Sequence, residues 1–147
     1  MTDRKINRQK ADVAFHELPV GTDLGSIEYE VSEELVRRHL EATGQTPYPS
    51  IGSERIAPVS ILASDGIRLA EARFDIGESV HAGQQLEIMS LPTVGSRVTV
   101  KGCVSDKFEK GGRQFVVMEI ASEDDRGRLL ARGVMTGVAR YEPSEGA

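Results

Sequence analysis

Residues 56–70, Ile56-Ala57-Pro58-Val59-Ser60-Ile61-Leu62-Ala63-Ser64-Asp65-Gly66-Ile67-Arg68-Leu69-Ala70, constrain this chain more than any other stretch. Read as a helix, the segment is apolar or small nearly all the way round, and such a helix must be covered on most of its sides. Pro58 suits its first turn, where the missing N–H would be unpaired anyway. Gly66 inside it costs about 1 kcal/mol relative to alanine, which makes sense where another backbone packs closely. Asp65 reads as a residue of the helix's exposed end, or else as a buried carboxylate with a raised pKa. The helix runs out near Arg73, before a turn at Asp75-Ile76-Gly77, and only strand-like segments follow up to Tyr141. One buried helix followed by long antiparallel strands predicts an α+β domain in which one sheet wraps one long central helix.

The strands read as follows. Residues 80–91 form the first, and Thr93-Val94-Gly95-Ser96 is a turn. Residues 97–108 alternate, with Val98, Val100, Val104 and Phe108 on one face and Thr99, Lys101, Ser105 and Lys107 on the other. Lys110-Gly111-Gly112 marks a hairpin. Residues 114–121 are almost continuously apolar, as in a strand covered on both faces. Glu123-Asp124-Asp125-Arg126-Gly127 is a second hairpin turn, and residues 129–141 form the last strand, with Ala131, Gly133, Gly137 and Ala139 small enough for close packing. Upstream, Ile27, Tyr29 and Val31 alternate with Glu28 and Glu30 in a half-buried strand. Ser32 then caps a helix whose first turn carries Glu33 and Glu34, favourable to the helix dipole. Leu35, Val36, His39 and Leu40 share its apolar face, and Gly44 ends it. Residues 45–54 read as a loop. Residues 1–14 read as a flexible arm and 142–147 as a tail, leaving 15–141 as one domain.

Composition narrows the function. A net charge of −5 gives no global reason for nucleic-acid or anionic-membrane binding. The single cysteine, Cys103, forms no internal disulfide, so a cytoplasmic protein is expected. No apolar run approaches the roughly 20 residues that span a bilayer. A free sheet edge is expected to pair across a two-fold axis, giving a dimer.

Three segments carry a likeness to a known family: residues 15–24 with 31–44, residues 56–60, and residues 80–87 with 94–102. In this order and spacing the chain resembles the MaoC-like hot-dog hydratases and dehydratases, including the dehydratase-like domain of fungal fatty acid synthases. The resemblance implies a single hot-dog domain acting on enoyl or (3R)-hydroxyacyl thioesters of coenzyme A or acyl carrier protein. It implies no metal and no cofactor other than the coenzyme A thioester itself. In the family an aspartate and a histidine of a Gly-Asp-x-Asn-Pro-x-His segment act on water, and a backbone N–H at the start of the buried helix polarises the thioester carbonyl.

Here that segment reads Thr43-Gly44-Gln45-Thr46-Pro47-Tyr48-Pro49-Ser50. Gln45 takes the aspartate position, and no histidine follows Pro47. A glutamine amide orients water but exchanges no proton near neutral pH. Val59 stands where glycine is common and narrows the approach to the helix start. Val59, Ser60 and Gly83 are the candidate substrate contacts. His81 is the candidate acid or base, being the side chain poised near neutral pH, or else a structural histidine. His39 reads as a core or interface histidine, and Ser60 as a small packing residue rather than a nucleophile. Arg97, Lys107, Lys110 and Arg113, with Lys101, form a basic group around one hairpin that suits a carrier's phosphates, or else an ordinary solvated surface. The expected function is a hydratase-type subunit that shapes the acyl site while a second hot-dog chain supplies the missing pair. The alternatives are a stand-alone thioesterase or atypical hydratase built on His81, and a non-catalytic acyl-thioester binding module.

Overall fold

The computed structural model describes residues 17–47, 50–73 and 79–138. The expected arm, the 75–77 turn, Ala139, Tyr141 and the tail lie outside these. The elements run β1 (Asp23–Glu30), α1 (Glu33–Thr43), a small hairpin of β2 (Ser50–Ile51) and β3 (Glu54–Arg55), a 3-10 segment (Val59–Ser64), α2 (Asp65–Arg73), and the strands β4 (Val80–Ile88), β5 (Arg97–Lys110), β6 (Arg113–Asp124) and β7 (Leu129–Val138). Five strands form one sheet in the order β1-β5-β6-β7-β4, with every neighbouring pair antiparallel. The predicted α+β architecture, one sheet around one central helical element, is the one observed.

The central element is not one continuous α-helix. Val59 and Ile61 are β-branched, and Ser60 and Ser64 compete for backbone hydrogen bonds, so the first part of the segment has weak α propensity. It winds as 3-10 helix and becomes α-helical at Asp65. Ile61, Leu62, Leu69 and Ala70 are buried against Val98, Val100 and Val104 of β5, Val116, Met118 and Ile120 of β6, and Ala131 and Met135 of β7.

One charged group sits at the centre of this core. Asp65 is 1% exposed, not at an exposed helix end as its polarity suggests. Its carboxylate accepts hydrogen bonds from Tyr29 Oη of β1 (2.8 Å), Ser122 Oγ of β6 (2.7 Å) and Arg68 Nη1 (2.7 Å). Arg68 also donates to Ile61 O (3.0 Å) and lies 4.7 Å from the centre of the Tyr29 ring. Burial pushes the Asp65 carboxyl up from its ordinary value, and the Ser122, Tyr29 and Arg68 contacts pull it back only in part. Burial and the nearby Asp65 charge push the Tyr29 phenol up as well, so it stays a neutral donor. The helix is thereby bonded to two non-adjacent strands at one point.

Close approach happens at Gly102 rather than Gly66. A Cβ on Gly102 would lie 2.8 Å from the Glu119 carbonyl oxygen and 2.9 Å from Leu69 Cδ2. One on Gly66 would meet only side chains, chiefly Met135 Sδ at 3.0 Å. At the far end of α2, Arg73 Nε donates to Leu24 O at 2.6 Å, and its guanidinium fills the space above Gly25, whose φ of +68° any side chain would strain.

Two sequence expectations fail on the sheet. The β5–β6 register shifts between Val104 and Asp106. This bulge reverses the alternation beyond it, as an inserted residue must. Lys107 therefore takes the register position opposite buried Val116, and Phe108 leaves the Val98 face to stack on Phe115 with ring centres 4.7 Å apart. β6 is covered on one face only: Val116, Met118 and Ile120 are buried, whereas Glu119 is exposed. The acidic hairpin turn is built around one buried carboxylate. Asp124 is buried and accepts from the N–H groups of Arg126 and Arg128 and from Arg128 Nε. Burial opposes its ionisation, but these bonds outweigh it and hold the carboxyl below its usual range.

Asp65→Ala, which strands Arg68, Tyr29 and Ser122 in the core, should lower unfolding free energy by about 3–5 kcal/mol in denaturant titrations. Gly102→Ala should cost about 1–3 kcal/mol because the Glu119 backbone cannot yield, and Gly66→Ala should cost less because Met135 can move. Asp124 stabilises the fold only when ionised, so its contribution is present above the ordinary aspartate range and lost as pH falls through its depressed value. The stability difference between wild type and Asp124→Asn should accordingly shrink as the solution is acidified through that range.

Candidate functional site

The site is assembled where α1 meets the start of the central segment. Ser32 caps α1 by accepting from the Leu35 N–H (3.1 Å), with Glu33 and Glu34 in the first turn. Gly44 ends it in the left-handed conformation, φ +69°, and donates its N–H to Leu40 O. Val36 is buried, with Leu35 and Leu40 packed against the core. This apolar anchoring turns His39 toward the central segment. That segment is itself fixed by the Ala57 N–H donating to Pro92 O at 2.9 Å and by a bridge between Ile56 and Thr93.

His39 Nε2 and Ser60 Oγ are 2.7 Å apart. Both residues are half-buried. Burial and then the positive charge of Arg68 hold the imidazole below its ordinary value, so it is neutral at neutral pH and its Nε2 can accept the Ser60 hydroxyl proton. Arg68 thus links two adjacent polar groups: it holds Asp65 and lies close enough to His39 to disfavour the imidazolium. This pairing was not foreseen. The two residues are 21 positions apart, and the apolar pattern of α1 places His39 in a core stripe.

The other expected site residues are distributed differently. Val59 lies half-buried beside Ser60. Gln45 is exposed, one residue beyond the α1 cap. His81 and Gly83 lie on β4, at the opposite edge of the sheet from β1, across a register shift from one another. Every residue of β4 is exposed. Gln84 of this strand donates to Ala63 O at 2.8 Å, tying the edge to the central segment.

The basic group does not converge as one patch. Arg97 opens β5 and Lys110 closes it, so they are separated by about 40 Å at roughly 3.3 Å per residue. Arg97 instead lies 3.6 Å from Glu28 of β1. Lys107, Lys110 and Arg113 do share the β5–β6 hairpin. Lys101 lies on the outer sheet face, in a shallow groove of about 530 Å³ that Cys103 also lines.

A crevice between the central element and the sheet, bordered by Leu62, Gly66, Leu86, Ile120 and Met135, has a volume of about 10 Å³, enough for one water. Among the described residues no three His, Cys, Asp or Glu side chains converge as metal ligands.

No family model matches the sequence, and no curated protein matches it. Solved structures do match the fold. The (R)-hydratase PhaJ1 from Pseudomonas aeruginosa superimposes with a TM-score of 0.74 at 19% identity, over 89% of this chain and 88% of that one. A MaoC-like dehydratase from Rhodospirillum rubrum gives 0.71 at 17% identity, over 89% and 99%. The C-terminally truncated HadBC (3R)-hydroxyacyl-ACP dehydratase complex from Mycobacterium tuberculosis gives 0.59 at 17% identity, over 88% and 98%. With its single central helical element wrapped by one five-stranded antiparallel sheet, the chain has the hot-dog fold of the MaoC-like hydratases and dehydratases.

Proposed function

We propose that this chain is an acyl-thioester subunit of the hydratase and dehydratase type, completed by a second hot-dog chain that carries the aspartate and histidine. The observation that carries this is the combination of a preserved fold with exposed Gln45 in the loop after α1, a group that orients water without taking its proton. The β4 edge supports the partnership. Val80 is 62% exposed, Ile88 39% and Leu86 36%, with Met89 and Leu91 just beyond. Leu86 and Ile88 pair in register with Gly133 and Ala131, whose face turns toward the core. An apolar edge strand of this length invites another strand. The crevice beneath it, among the described residues, has room for one water, and on this reading an acyl chain would run between the two chains.

The thioester would be carried by coenzyme A or an acyl carrier protein, in the cytoplasm. Lys107, Lys110 and Arg113 at the β5–β6 hairpin would meet its phosphates. Val59 and Gly83 would border the acyl group. The partner would be a second, different hot-dog chain, as in a heteromeric complex such as HadBC, because a second copy of this one would bring Gln45 again, with no histidine in the segment that follows.

A co-purified assembly tests this directly. The chain alone should not hydrate crotonyl-coenzyme A, followed by loss of enoyl-thioester absorbance, and the chain with its hot-dog partner should. Full hydration by the chain alone would contradict the proposal, and loss of that activity in His81→Ala would move the chemistry to β4. Leu86→Lys, which places a charge in the pairing edge, should weaken assembly more than tenfold in sedimentation. Charge reversal at Lys110 or Arg113 should weaken acyl-coenzyme A binding about two- to fivefold each, more at low salt, with Arg97→Glu leaving it unchanged.

A further inference from the structure

We propose that Ser60 and His39 form a nucleophile–base pair that gives this chain an acyl-transfer activity of its own, cleaving short acyl thioesters or activated esters. It rests on the preceding section only for choosing a thioester as the natural substrate.

The geometry is that of an activated hydroxyl. A serine is a weak nucleophile unless a base lies within hydrogen-bond reach, and His39 Nε2 is 2.7 Å from Ser60 Oγ. The pair comes from two separately anchored elements: α1 is capped at both ends, and the central segment is bonded to Pro92 and, through Asp65, to β1 and β6. Neither partner is sealed in the core. Burial, and after it the charge of Arg68, itself locked by Asp65 and Ile61 O, favour the neutral imidazole that a base requires. A packing serine in this position would need no histidine. A histidine needed only to tether α1 could bond the backbone of the central segment instead.

The step balances without a further reagent. As Ser60 Oγ bonds to the thioester carbonyl carbon, its proton passes to His39 Nε2. The C–S bond breaks, and His39 returns that proton to the departing thiolate. Water then adds to the acyl-serine carbon, giving its proton to His39, and the ester C–O bond breaks as Ser60 is reprotonated and the free acid leaves. The acyl group should be short, because Val59 flanks Ser60 and narrows the approach to it.

The test uses the full chain with butyryl-coenzyme A and, separately, p-nitrophenyl acetate, reading thiol or phenol release and the intact protein mass. Expected are release from both probes and an acyl adduct that peptide mapping places on Ser60. Ser60→Ala should lose the adduct and cut release at least 100-fold. His39→Asn can still bond Ser60 without acting as a base. It should cut release to a similar extent while melting near the wild-type temperature, which a tether alone does not explain. Ser60→Cys should keep the adduct. Release unaffected by Ser60→Ala, an adduct on His81 or Cys103 instead, or folded wild type that cleaves neither probe would overturn the proposal. Ester cleavage without hydration by the assembly would remove the hydratase reading and leave this one, and the converse would do the reverse.

Discussion

A single buried carboxylate organises this protein. Asp65 stands at the junction where 3-10 winding gives way to α-helix, and it binds β1 through Tyr29, β6 through Ser122 and its own helix through Arg68. A lone carboxylate in such a core would be intolerable. Three donors make it a fixed point instead, and replacing it by a hydrophobic residue would require redesigning all three partners. Its consequence reaches the surface. Because Arg68 is held by Asp65, its charge is held near His39, which in turn holds Ser60. The core network therefore acts on the half-buried polar pair through the charge of Arg68.

The fold was largely legible because its signals are local and repeated. The capped helix α1, the proline-opened apolar segment and four strands separated by glycine turns each follow from periodicity and turn chemistry. What the pattern missed depends on tertiary placement. The bulge between Val104 and Asp106 has no sequence mark, yet it moves Phe108 and Lys107 to opposite faces from those their spacing implies. Asp65 looked like a surface charge because its three partners lie 3, 36 and 57 residues away. The basic residues looked clustered because sequence proximity was read as spatial proximity, and an extended 14-residue strand pulls Arg97 away from the hairpin tip.

The candidate site was less legible for the same reason. Ser60 and Val59 were named from their position at the helix start, but the group that makes Ser60 chemically interesting is on another helix. The one signal available was His39 itself: a histidine in an apolar stripe needs a polar partner, and Ser60 is a polar residue in the other buried segment. Gln45 was read from the family pattern and His81 from the chemistry of its imidazole, and both stand exposed in the single chain. On the proposed reading, an exposed Gln45 and an exposed β4 belong to half a site.

That incompleteness is the centre of the account, and backbone amide hydrogen exchange on the native assembly tests it most directly. If a second hot-dog chain completes the site across the β4 edge, the free amides of Val80–Ile88 should become strongly protected when the assembly forms, while those of β1 at the opposite edge change little. Exchange in β4 that stays as fast in the assembly as in the isolated chain would contradict it.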